Sequence, residues 1–214
     1  MTMTPLREAY LLAAGSAATL VGEPAVAQAW ERPSALPDFS IGGLASHLAA
    51  QITFVPKALA EPPMDGPPVP LLGHYERVTW IGADLDAEIN VTIRKGAETT
   101  AAAGPAELLA SLSEAIGALR EGLPAQPADR LVHPPAGPWP LRLDDFLITR
   151  MMEIAVHCDD LAASLDRPTP DLPPEVLDPV LALLSSLAVR RHGQAAVLRA
   201  LSRAERAPAS ITAF

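Results

Sequence analysis

One segment constrains the fold more than any other: Arg150-Met-Met-Glu153-Ile-Ala-Val-His157-Cys-Asp-Asp160 threads a polar ladder through an otherwise apolar helical pattern. Residues at i and i+4 share a helix face, so Glu153 and His157 point at one object, and Arg150 and Asp160 extend the ladder by i, i+3 steps. Leu143, Leu147, Ile154, Leu161 and Leu165 form an apolar stripe beside it. The ladder therefore lies at the edge of a buried face. A buried carboxylate is costly unless it is paired, protonated or bound to a metal, so another element has to bring it a partner.

The rest of the chain reads as helix. Thr4-Pro5 supplies an N-cap and first position for a helix running toward Trp30, disturbed near Gly22 to Pro24. Ser40 caps a second helix, with Ile41, Leu44, Leu48, Ile52 and Val55 as its apolar ladder and His47 and Gln51 on its inner side; it ends near Ala60, before Pro62-Pro63. Pro and Gly from Glu61 to Pro70 exclude regular structure and mark a linker or a lid over a site. A third helical pattern runs from about Tyr75 to Arg94, and a fourth opens at Gly104-Pro105 and stops near Glu121. Residues 124–140 are Pro-rich, and the polar-ladder helix begins near Leu143, with Asp144 and Asp145 in its first turn. Two further helices are expected at about 174–190 and 194–205, separated by Gly193. Period-2 alternation is nowhere convincing. The expected fold is mostly α: residues 1–167 as a four-helix bundle and 168–214 as a C-terminal helical segment packed on it.

Composition narrows the function classes. The net charge of -9, from 25 acidic against 16 basic residues, argues against a nucleic-acid surface. Cys158 is the only cysteine, so no intramolecular disulfide forms, and a reducing, cytoplasmic setting fits. Leu11 to Val21 followed by Ala25-Val26-Ala27 imitates a signal sequence, but Glu8 spoils the positive start, and we read the stretch as a bundle helix. No stretch approaches the roughly 20 apolar residues of a membrane span. Small-molecule partners are expected, with neither nucleic acid nor membrane, in a monomer or homodimer.

In a bundle, metal sites are built from inward side chains of facing helices. His47 is the best match for Glu153 and His157. Two imidazoles and a carboxylate suit Zn²⁺ or a neighbouring first-row metal, and three protein ligands leave a coordination position open. From the residues alone two other readings stand: Glu153 and His157 as an ordinary i, i+4 pair, or Arg150 neutralising Glu153 across one turn in a metal-free site.

Two blocks carry a family resemblance. Trp30-x-x-Pro33-Ser-x-Leu36-Pro37-x-Phe39-Ser-Ile-Gly-Gly-Leu44-x-x-His47-Leu, followed by Arg150-x-x-Glu153-x-x-x-His157-x-Asp159-Asp160-Leu161-Ala, resembles the mycothiol-dependent maleylpyruvate isomerase family of the DinB-like superfamily. The stretch from Arg190 to Phe214 is similar to the short C-terminal segment of actinobacterial members. The resemblance implies a DinB-like four-helix bundle holding a divalent metal, usually zinc, on His47, Glu153 and His157. It further implies mycothiol as cosubstrate and isomerase or S-transferase chemistry on an electrophilic small molecule. It places thiol and substrate contacts on the helix carrying Asn90 and Arg94. The founding isomerases carry a larger separate C-terminal domain where this chain has only 168–214, which counts against maleylpyruvate as substrate. The alternative of another class is a non-catalytic DinB-like binding or regulatory module, which fold alone does not exclude.

Other residues take secondary roles. Arg150 either holds an anionic group of substrate or thiol, or forms a salt bridge to Glu153 or Asp160. Asp160 is either an acceptor for an imidazole N–H behind the metal or a surface charge. Cys158 lies about 100° around the helix from His157 and reads as a small buried residue. His74 and His133, beside Pro-rich loops, are expected to be solvated, and His192 to have a helix-ending or interdomain role. Trp30, Trp80 and Trp139 are expected in the core or a pocket wall.

Overall fold

The computed structural model describes residues 3–214. Thr4 caps α1 (Pro5–Val21) by accepting from the backbone N–H of Arg7, and Gly22 and Pro24 separate it from the short α2 (Pro24–Gln28). Ser40 caps α3 (Ile41–Ala60), its hydroxyl accepting from the Gly43 N–H. After α4 (Leu71–Tyr75) and α5 (Glu88–Ala101), α6 spans Pro105–Gly122 and α7 spans Leu143–Ser164. The chain closes with α8 (Pro174–His192) and α9 (Gln194–Ser202), which Gly193 separates at a φ of +82°.

Helices α1, α7, α3 and α6 pack in a ring, each against the next, and enclose the core. Alanines make this approach close: Ala13, Ala14 and Ala17 of α1 and Ala45 and Ala49 of α3 are buried among Leu44, Leu48, Phe146, Leu147 and Met151. The fold is thus a mostly α helical bundle, as expected. α5 lies on α3 and α6, while α8 lies across α1 and α7 with Val176, Val180 and Leu183 buried. No helix of the described residues is long and apolar enough to cross a membrane.

Two features differ from the sequence reading. The helix expected from Tyr75 to Arg94 is instead two, α4 and α5, with an irregular stretch between them that turns at Gly82 with a φ of +70°. The acidic run Asp84 to Glu88 carries no apolar face long enough to hold a helix against the bundle, and backbone carbonyls there are taken by side chains of α5. The Pro-rich stretch before α7 is drawn in by a two-residue antiparallel ladder, β1 (Leu131–Val132) with β2 (Leu141–Arg142). Period-2 patterning cannot signal strands that short.

Arg7 locks the start of α1 to the end of α6 and the start of α7. It is 2% exposed, pairs with Asp144 at 2.9 Å, and donates to the carbonyls of Leu123, Gln126 and Pro127. Nothing in the periodicity of the sequence singles it out.

Candidate metal centre and cavity

The two middle helices of the site, α3 and α7, bring His47 against Glu153 and His157. One ligand atom from each of the three lies within 4.8 Å of the others. The imidazoles of His47 and His157 meet nearly edge-on, with centroids 4.7 Å apart. Ser40 and Gly42-Gly43 set the position of His47 along α3. Glu98 of α5 accepts from both the N–H and the hydroxyl of Ser40, at 2.8 and 2.9 Å. A Cβ at Gly42 would stand 2.5 Å from the Trp30 indole, and one at Gly43 would stand 2.1 Å from a Glu98 oxygen. The Gly-Gly pair therefore lets α3 approach both neighbours, and His47 follows one turn later.

On α7, His157 is held at both ring nitrogens. Nε2 lies 3.1 Å from Glu153 Oε2, and Nδ1 lies 2.9 Å from Asp160 Oδ2. Burial disfavours an imidazolium here, but the bonds to Asp160 and Glu153 and their charges outweigh it, and the His157 pKa is raised. Burial likewise works against the Glu153 carboxylate, yet the His157 bond and the Arg150, His157 and His47 charges hold its pKa low. His47 is pushed down to about 4 by burial first and then by His157, so its imidazole is neutral with a free lone pair. A neutral imidazole, an ionised carboxylate and His157, which would give up its Nε2 proton to a cation and is fixed from behind by Asp160, form a donor set suited to a divalent cation.

Arg150 does not follow the salt-bridge expectation. Among the described residues it forms no ion pair with Glu153 or Asp160; it donates to Gln51 Oε1 and, at 3.1 Å, to Thr149 Oγ1, and lies over the Phe146 ring. Gln51, 2% exposed, takes the guanidinium instead. The metal-free reading built on an Arg150–Glu153 pair is therefore not the arrangement found.

His47, Glu153, His157 and Arg150 line a cavity of about 830 Å³, within the range of pockets that hold small molecules. Asn90 and Arg94 line it too. Their polar groups also brace the irregular stretch ahead of α5: Asn90 donates to the Asp84 carbonyl at 2.9 Å, and Arg94 to the Leu85 carbonyl at 2.8 Å. Ser46, beside His47, lines the cavity with a buried hydroxyl that lacks a hydrogen-bond partner among the described residues. No residue of 61–70 lines the cavity; residues 134–136, from the second Pro-rich stretch, do.

Other sequence expectations divide. Cys158 is buried and its thiol is pushed up to about 12, as befits an inert packing residue. His192 ends α8 and bonds the Thr212 carbonyl at 2.8 Å. His74 is not solvated: it is 2% exposed and its Nδ1 accepts from Trp139 Nε1 at 3.0 Å. His133 is half-buried. Trp30 is in the core and Trp80 in the cavity wall. The sequence reading missed Phe214, which lines the cavity from a distant part of the chain. Its lone aromatic ring at the end of a polar tail was the available signal.

The profile of the family described as "Mycothiol maleylpyruvate isomerase N-terminal domain" matches residues 11–162. No curated protein and no solved structure matches the chain. The matched span holds all of α3, α7 as far as Ala162, and all three residues of the His47, Glu153, His157 cluster. The chain belongs to the mycothiol maleylpyruvate isomerase N-terminal domain family.

Proposed function

We propose that this member of the family is a metal-dependent enzyme that activates a thiol, mycothiol, and adds it to an electrophilic small molecule. The observation that supports this most directly is the convergence of His47, Glu153 and His157 within 4.8 Å at the wall of a large cavity. These residues would hold a divalent cation, zinc being the best match to two imidazoles and a carboxylate. When bound, such a cation lowers the pKa of a thiol at its open position and so supplies the nucleophile.

The chain's own residues orient and enclose. Asp160 holds His157 Nδ1, which leaves Nε2 facing Glu153 and His47. Gln51 and Thr149 hold the Arg150 guanidinium at the cavity, where its charge favours an anionic sulfur. The unpartnered Ser46 hydroxyl and the side chains of Asn90 and Arg94 offer hydrogen bonds to the thiol's polar body. The thiolate sulfur forms a C–S bond to the electrophilic carbon while the π electron pair moves to the neighbouring carbon. Protonation of that carbon gives an S-conjugate; rotation and return of the pair expels the thiol and gives an isomer. Transferase and isomerase outcomes thus share one nucleophile and differ in the substrate.

A three-residue cluster suited to a cation, opening on a cavity large enough for a small molecule, supports this reading over a non-catalytic binding module. Elemental analysis of untagged protein, followed by turnover with and without mycothiol of 1-chloro-2,4-dinitrobenzene, on which the thiolate adds to the chlorine-bearing ring carbon and chloride leaves, tests it. About one divalent ion per chain and turnover that needs both mycothiol and His47 are expected. Turnover unchanged without mycothiol and retained in His47→Ala would overturn it.

A further inference from the structure

The cavity is built from more than the matched family residues. Phe214, outside the 11–162 span, lines it together with Trp80, and the two rings lie 5.0 Å apart at 58°. The Phe214 ring also approaches Tyr75, at 6.3 Å. The tail that carries it is anchored where His192 bonds the Thr212 carbonyl. Three elements, the irregular stretch after α4, the end of α8 and the tail, thus converge to present an aromatic wall.

The cations of the cavity are placed differently. Arg150 is held by Gln51 and Thr149, and Arg94 by the Leu85 carbonyl and, at 3.8 Å, by Asp38. Lys57 is exposed. Among the described residues, the two buried or half-buried cations of the lining are thus each already engaged and the third is exposed, so no pair of them is set inside to hold both carboxylates of a dianion bidentately, the arrangement such a ligand needs to offset its desolvation. Phe39, Phe54, Ile89, Ile93, Met152 and Val156 continue the apolar lining.

From this we infer that the electrophile is a neutral molecule with an apolar, ring-sized body, seated against the Trp80–Phe214 wall, and that Phe214 is a specificity-determining residue of this chain. The inference rests on the thiol-addition reading for its chemistry, but the wall binds its ligand with or without metal or thiol. A test therefore separates the two. The full-length chain is titrated with the neutral fluorescent probe N-phenyl-1-naphthylamine, metal-loaded and after chelation, alone and against maleate. Phe214→Ala should weaken probe binding about tenfold in both forms, Phe214→Leu should keep it within about twofold, and maleate should not displace it. Circular dichroism melts establish that each variant is folded, and Phe214→Leu against native protein is read if Phe214→Ala is not. Equal probe affinity in folded Phe214→Ala and native protein, a Phe214→Leu loss as large as that of alanine, or displacement by maleate would overturn the inference. Loss of mycothiol dependence in turnover would leave the probe result standing and count against the chemistry alone.

Discussion

The Nδ1–H of His157 donates to Asp160 Oδ2 at 2.9 Å, one turn further along α7 and on the side of the ring away from Glu153. This bond fixes both the rotation of the imidazole and the nitrogen it offers to the cavity. Metal-binding imidazoles depend on such an acceptor, and its loss commonly costs about 10- to 100-fold in metal affinity. Asp160→Ala should weaken Zn²⁺ binding by that order in a competition titration with a chromophoric chelator. Asp160→Asn keeps a carbonyl acceptor and should lose less. Equal affinities in native protein and Asp160→Ala would mean that Asp160 is a surface charge.

His74 gives a pH dependence with a defined sign. Burial, then the Arg150 charge, lowers its pKa from the ordinary 6.5 to about 4, and its Nδ1 is occupied by the Trp139 N–H. The folded state thus resists a proton that the unfolded chain accepts. Its contribution is complete above pH 6.5 and is lost as pH falls from 6.5 to 4, up to about 3 kcal/mol at roughly 1.4 kcal/mol per unit. His47 titrates in the same direction and remains in a His74→Gln variant, so the difference between the two stability curves isolates His74. Urea unfolding from pH 7.5 to 4.5 should show the flatter curve for the variant. Parallel curves would contradict the assignment.

The space at the Cβ position predicts opposite outcomes at two helical glycines, one in α3 and one in α6. Gly42→Ala drives a Cβ into the Trp30 indole, whose Nε1 is committed to the Ala101 carbonyl at 3.1 Å. It should cost about 1–3 kcal/mol. Gly117, inside α6 with open space at its Cβ position, should instead gain about 0.4–1 kcal/mol on substitution by alanine. Denaturant midpoints of the two variants check both signs.

The helices were legible where caps and periodicity agreed. Ser40 and the ladder from Ile41 to Val55 placed α3, and the polar ladder with Asp144 and Asp145 placed α7. That pattern made His47 the best match for Glu153 and His157, and the family resemblance chose the three-residue cluster over the i, i+4 pair and the Arg150-neutralised site. Other features were not local. Gln51 captures Arg150 from 99 positions away, and His74 is buried by Trp139 from 65 away. A Pro-rich neighbourhood suggested solvent for His74, but Pro-rich backbone also packs when a ladder such as β1–β2 draws it in. Phe214 reaches the cavity through tertiary packing alone, which no periodicity records.

Arg7 offers a test of how the bundle is closed. Its guanidinium is the donor for three carbonyls, those of Leu123, Gln126 and Pro127, and the partner of Asp144. Arg7→Met keeps much of the apolar stem but removes every one of those bonds, leaving carbonyls without a donor at the junction of α6 and α7. Breaking a buried charged network from one side costs about 3–5 kcal/mol, more than an exposed ion pair contributes. Asp144 is partly exposed and can recover water, so a loss toward the lower end, about 3 kcal/mol, is expected in urea unfolding. Asp144→Asn leaves the three carbonyl bonds in place and should cost about 1 kcal/mol. If the two variants lose equal stability, the ion pair rather than the carbonyl cradle holds the junction.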